Sequence, residues 1–132
     1  MPNNIDHNIL ERDIDVDDLG LLEDWGRYLA PDPNDNKIPM TSTQIRKFFG
    51  EMKRIQAGFS NLNSEIILLD PKIAYAVGRA KKEGKHKQYK IEEFYKLVSP
   101  LLKKIKQNEI RYKRFVKIIE AIVAYHKAYG GS

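Results

Sequence analysis

The run EAIVAYHKAYGG, residues 120 to 131, contains a residue able to do chemistry: His126, whose imidazole can ligate a metal or carry a proton near neutral pH. Placed on a helix at about 100° per residue, His126 falls about 40° from Ile122 and about 20° from Ile119. It lies inside the apolar arc that these residues make with Phe115, Ile118 and Val123, opposite Lys113, Lys117 and Lys127. A metal or catalytic role needs convergent partners, and the chain offers only His7 and His86, both in polar stretches. His126 is therefore expected to be a core residue whose nitrogens are satisfied by a backbone carbonyl or a tyrosine. Cysteine is absent, which removes disulfides and thiolate zinc sites. No glycine-rich loop follows a strand, no carboxylates pair on an apolar helix face, and no serine stands beside a base. The expectation is a protein without catalytic residues, metal or cofactor. A nuclease built on His126 is the enzyme reading this sets aside.

The cations follow a pattern of their own. Over residues 41 to 57, Arg46 and Lys53 fall on one flank of a helix, and Lys47 and Arg54 about 100° further round. Gly50 and Ala57 lie between these rows, making a shallow basic trench into which a phosphate backbone could settle. Further on, Lys72, Tyr75, Arg79 and Lys82 recur at i, i+3, i+7 and i+10, opposite Ile73, Val77 and Ala80. Cations interleaved with an aromatic ring suit nucleic acid, the cations meeting phosphate and the ring a base or ribose. Ala74 and Gly78 form a small-residue seam open to another helix. KEGKHKQYK (82 to 90) and RYKRFVK (111 to 117, with Lys113 and Lys117) add to the basic side. Taken singly, each stripe could be an ordinary solvated face.

The elements that must position these residues are all helical. Asp15 caps a first helix with Asp17 and Asp18 in its opening turn, and Ile14 and Leu19 sit at the positions of a hydrophobic staple. Leu21, Leu22, Trp25, Tyr28 and Leu29 form its apolar stripe. APDPNDNKIP, residues 30 to 39, reads as a loop and hinge. Thr41 and Gln44 make a capping box, Met40 and Ile45 a staple, and Gly58 a stop. FSNLNSEIILL, residues 59 to 69, is read as a short helix, since an isolated strand would have no partner. Asp70-Pro71 reads as a capping carboxylate and a first-position proline for a helix to about Lys82. Residues 91 to 107 are helical by pattern, with a kink or break expected at Pro100. A long last helix runs from about Asn108 to Tyr129, ended by Gly130 and Gly131. The fold class is all-α, a compact bundle of five to six helices.

The 132 residues carry 23 basic and 18 acidic side chains, a net charge of +5. Residues 1 to 40 hold ten acidic and three basic side chains, a balance of −7, and residues 41 to 132 a balance of +12. This suggests two regions, an acidic leader with one helix and a proline-rich loop (1 to 40) and a basic bundle (41 to 132). A basic body of this kind suits a polyanion, with the leader docking on a basic face of its own chain or of another copy. No run is long and apolar enough to span a membrane, and the opening MPNNIDHNIL lacks the pattern of a secretory signal, so a cytoplasmic location is expected.

TSTQIRKFF (41 to 49), LDPKIAYAVGRA (69 to 80) and FVKIIEAIVAYHKAYGG (115 to 131) together resemble the signature blocks of the small subunit of the type III-A CRISPR effector (Csm) complex. The resemblance covers roughly residues 40 to 131. It implies a non-catalytic helical subunit of an antiviral defense ribonucleoprotein. Several copies would stack along its interior, holding paired guide RNA and target RNA and bridging the large signalling subunit to the backbone subunits. Self-association is expected along that filament, with a homodimer as one form of the isolated chain. Of the motif residues, Arg46, Lys72 and Arg79 also lie on the basic faces, and Tyr125 and His126 are carried as packing. Lys47, Lys53, Arg54, Lys82, Lys113 and Lys117 join the RNA-binding set from the face argument. The alternative is a helical protein–protein spacer with little direct RNA contact.

Overall fold

The computed structural model describes residues 1–84 and 87–131. His86, one of the three histidines, and Lys85 beside it lie outside the described residues. The all-α bundle is as expected. After a 3-10 turn at His7–Glu11 come α1 (Val16–Leu29), α2 (Ser42–Ala57), a four-residue α3 (Phe59–Leu62) and a second 3-10 turn (Asn63–Leu68). They are followed by α4 (Leu69–Lys82), α5 (Lys90–Ile105) and the long α6 (Glu109–Ala128).

Local chemistry accounts for most of the boundaries. Asp15 and Asp18 close a reciprocal capping box on α1, and Thr41 and Gln44 do the same on α2. In each box two otherwise unpaired backbone N–H groups gain acceptors. The Asn108 carboxamide accepts from Arg111 N at 3.0 Å and starts α6. Three expectations are corrected. First, Asp70 does not cap α4: the helix begins at Leu69, two residues earlier than a cap at Asp70 would place it, and this carboxylate accepts from Tyr95 Oη at 2.8 Å and from Ser99 Oγ on α5. Pro71 becomes the third helical residue, where an N–H would still lack an intrahelical acceptor. Second, of the kink or break expected at Pro100 the break is absent, since α5 is continuous from Lys90 to Ile105. The proline removes one backbone bond, but Leu97, Val98, Leu101, Leu102 and Ile105 stay buried on both sides of it, and that burial outweighs the lost bond. Third, Leu19 points outward, 42 % exposed, so it makes no staple.

The core crosses the charge boundary near residue 40. Leu22, Trp25 and Leu29 of α1 share one cluster with Ile45, Met52 and Ile55 of α2, Ile73 of α4, Phe94 and Val98 of α5, and Phe115 and Ile119 of α6. α1 lies along α6, α4 lies on α5, and α2 touches both α4 and α6. α1 approaches α6 tightly at Gly26, where an added Cβ would collide with Tyr125 Cβ and lie 2.8 Å from Ile122 O. Only a residue without a side chain lets α1 sit this deep on α6.

The loop after α1 is fastened rather than a free hinge. Ile38 forms a single parallel bridge with Tyr89, donating to Gln88 O (2.8 Å) and accepting from Lys90 N (2.9 Å). Lys90, expected in a basic surface loop, is 1 % exposed. Its ammonium donates to Ala30 O (3.2 Å), pairs with Asp35 (3.0 Å) and sits 4.9 Å from the Tyr28 ring centroid. The hydrogen bond from Lys90 holds the Asp35 carboxyl below its ordinary range.

A candidate nucleic-acid interface

An open groove of about 970 Å³ runs between α2 and α4. Arg46 and Lys47 line one wall, Lys72, Tyr75 and Arg79 the other, and Phe48, Ile73 and Phe94 underlie it. The helical period explains the arrangement. Phe48, Met52 and Ile55 of α2 and Ile73, Val77 and Ala80 of α4 turn into the core, which leaves the intervening cations facing solvent across the gap. Gly50 also lines the groove, with nothing within 4 Å of where a Cβ would stand.

The cations differ in how free they are. Lys72 Nζ pairs with Glu51 at 2.8 Å. Arg54, outside the groove lining, pairs with the same carboxylate at 3.0 Å and with Glu65 at 2.6 Å. With two donors on it, Glu51 titrates below its ordinary range, the hydrogen bond from Lys72 contributing most. Lys53 turns from the groove to Glu120 on α6 at 3.7 Å, one turn from Lys117. Arg46, Lys47 and Arg79 have no ion-pair partner among the described residues, and neither do Lys82, Lys113 and Lys117. Four of the nine candidate residues thus converge on the groove and five do not. Glu51, which the charge argument passed over, neutralises part of one wall. The spacing of Glu51 three residues before Arg54 was the available signal.

The basic segment that opens α6 is turned to another use. Arg111 pairs with Glu11 at 2.6 Å, and Arg114 donates to Leu10 O (3.2 Å) and pairs with Asp13 (3.5 Å). The acidic leader is therefore held by its own chain's α6. Within the leader, Trp25 Nε1 on α1 fastens the N-terminal stretch of chain by donating to Asn3 O at 2.8 Å.

A family model described as Csm2 type III-A matches residues 21–132. The chain belongs to this family. The match begins inside α1, so the Csm2 likeness includes half of the segment that the motif blocks had left out. No curated protein and no solved structure matched the chain. The Csm2 family supplies the small subunit of the type III-A CRISPR complex. In this member the motif histidine is buried, and its Nε2 lies 2.9 Å from Met40 O and donates to it. Its ring packs against Gly131, where a Cβ would overlap it. Burial, ahead of the opposing hydrogen bond to Met40, pushes the imidazole below its ordinary value of 6.5. A neutral ring wedged between the α1–α2 connection and Gly131 orients structure. Among the described residues, no group of three or more His, Asp or Glu side chains could hold a metal ion. No helix among them is long and apolar enough to cross a membrane.

Proposed function

We propose that this chain is the non-catalytic subunit that holds the guide RNA–target RNA duplex in a cytoplasmic type III-A complex, reading backbone charge rather than sequence. The observation that carries this reading is the convergence of Arg46, Lys47, Lys72 and Arg79 from two helices on one groove. A guide differs with every spacer, so its holder must grip phosphate and shape, and both are sequence-independent. Several copies would stack beside one another, meeting the large signalling subunit and the backbone subunits on other faces.

The competing reading is a protein spacer that makes little contact with RNA. It is favoured by the intrachain pairing of Lys53, Arg54 and Lys72 and by the apolar residues under the groove. Salt separates the two. Each neutralised phosphate contributes a log–log slope of about −0.7 to −0.9. The three unpaired groove cations should therefore give a slope of about −2 to −3 for binding to an RNA duplex. In an Arg46→Glu/Arg79→Glu chain whose circular dichroism is unchanged, affinity should fall steeply and the slope should flatten by about 1.4 to 1.8. Equal affinity and an equal slope in that folded variant would leave the spacer reading.

A further inference from the structure

Glu51 is a feature of the groove that a grip on phosphate leaves unexplained. It lines the groove with Arg46, Lys47, Lys72 and Arg79, and a carboxylate there repels the phosphates that those cations attract. Both of its donors come to the same oxygen. Lys72 Nζ lies 2.8 Å from Oε2, and Arg54 Nη2 lies 3.0 Å from it. The second oxygen, Oε1, accepts no hydrogen bond among the described residues and is open to solvent. The hydrogen bond from Lys72 holds the carboxyl below its ordinary range, so it is ionised at neutral pH. An ionised carboxylate has no proton to give. Oε1 is therefore an acceptor in a groove of cations, and its ligand must bring a donor.

We infer that Glu51 Oε1 accepts from a ribose 2′-hydroxyl, so that the groove distinguishes RNA from DNA as well as holding phosphate. This deepens the proposed function and rests on that reading. An A-form duplex presents donors of two kinds in its wide, shallow minor groove: the 2′-hydroxyl of every nucleotide, and the amino group of guanine where the sequence supplies one. A carboxylate committed to guanine would make affinity follow sequence. The 2′-hydroxyl recurs at every position, which suits a holder that must accept any guide. Lys47 and Glu51 stand one turn apart on α2, about 5 to 6 Å between their Cβ atoms. Each ribose is bonded to the phosphates on either side of it. A phosphate held by Lys47 therefore brings an adjoining ribose to the next turn of the helix, within reach of Glu51.

The surrounding pairs prepare the carboxylate for this contact. Lys72 and Arg54 hold Oε2 from two sides, which fixes the plane of the group and leaves Oε1 for the ligand. The negative charge also deters a phosphate from the same spot, so sugar and phosphate do not exchange places along α2. A purely structural Glu51, serving only to link α2 to α4 through Lys72, would alter the grip on every duplex alike. Recognition of a hydroxyl alters it only where the hydroxyl is present.

The test compares two short duplexes of one sequence, the first all RNA and the second with fluorine in place of every 2′-hydroxyl. Fluorine preserves the A-form and the phosphates but has no proton to donate. By fluorescence anisotropy at fixed salt, the unaltered chain should bind the fluoro duplex about tenfold more weakly. That is about 1.4 kcal/mol, near the low end for a hydrogen bond to a charged group. Glu51→Ala, with its circular dichroism unchanged, should bring the ratio close to one. It also frees Lys72, so the log–log salt slope should steepen by about 0.7 to 0.9 on both duplexes. Glu65→Gln releases Arg54 outside the groove and should leave the tenfold ratio as it is. Exchanging guanosine for inosine, which lacks the amino group, should change neither chain's affinity. A loss in the unaltered chain that Glu51→Ala lacks would assign Oε1 to the guanine edge and overturn the inference. Equal binding of the RNA and fluoro duplexes by the unaltered chain overturns it as well, and so does a ratio that survives in Glu51→Ala. Those results leave the phosphate grip standing. Undiminished RNA affinity in the folded Arg46→Glu/Arg79→Glu chain removes that grip whatever the fluoro ratio, so the two ideas fail separately.

Discussion

Two glycines six residues apart on α1 should respond to alanine with opposite signs. Gly20 has open space around it, and Gly26 faces α6, where a Cβ would collide with Tyr125 Cβ and lie 2.8 Å from Ile122 O and 2.9 Å from His126 N. Comfortable separation is about 3.5 Å or more, so α1 has to withdraw by about 1 Å. Every obstructing atom is backbone or Cβ, so no side-chain rotation relieves the clash. Overpacking of this kind costs about 3 kcal/mol, the upper part of its usual range. Alanine's helical advantage over glycine returns about 1 kcal/mol. The net loss for Gly26→Ala is then about 2 kcal/mol, or a Tm lower by about 8 °C for a chain of this size. Gly20→Ala, meeting nothing, should gain about 0.5 to 1 kcal/mol and raise Tm by about 2 to 4 °C. Urea unfolding at neutral pH gives both numbers, and an unchanged slope with denaturant shows that the same two states are compared. Should Gly26→Ala prove as stable as Gly20→Ala, the close seating of α1 on α6 is wrong, and with it the outward orientation of Val16 and Leu19.

The pH dependence follows from His126, which is neutral and buried and whose Nδ1 has no hydrogen-bond partner among the described residues. Its folded pKa lies below 6.5 and the unfolded ring titrates near that value, so its contribution is intact above pH 6.5 and is lost as pH falls below it toward the folded pKa. Urea midpoints between about pH 7.5 and 5.5 should decline in the unaltered chain, and a His126→Gln chain should lack that component. For Lys90→Met, Ala30 O loses its ammonium donor while Asp35, partly exposed, can hydrate. A cost of about 2 kcal/mol is expected, with faster proteolysis within residues 31 to 39. No change in either measurement would mean that the buried ammonium does not fasten the loop.

Residues acting within a turn of one another were readable from their order. The caps at Asp15, Thr41 and Asn108 each satisfy the N–H three positions on, and helix geometry alone brings donor and acceptor together. The inward facing of His126 follows from the same geometry, because five aliphatic and aromatic neighbours at helical spacing fix which side of α6 meets the core. Arg46, Lys47, Lys72 and Arg79 were assigned to solvent by that argument, and they do face solvent. What the period could not say is which solvent-facing cations face one another, or which are already answered by Glu51, Glu65 or Glu120. Angles around an axis carry no information about the neighbouring axis.

The sequence by itself determined the helices, their inward faces, the division of charge and membership in the Csm2 family. Only the tertiary structure decided that Asp70 serves Tyr95 and Ser99 instead of its own helix, that Lys90 is buried beneath Ala30, and that the leader is bound by Arg111 and Arg114. The physical reason is range. A cap or an apolar stripe is stabilised by atoms within about four residues, whose positions the backbone period fixes in advance. The partner of a charge is whichever group packing brings near. For Lys90 and Ala30 that group lies 60 positions away in the chain, and no local preference selects it.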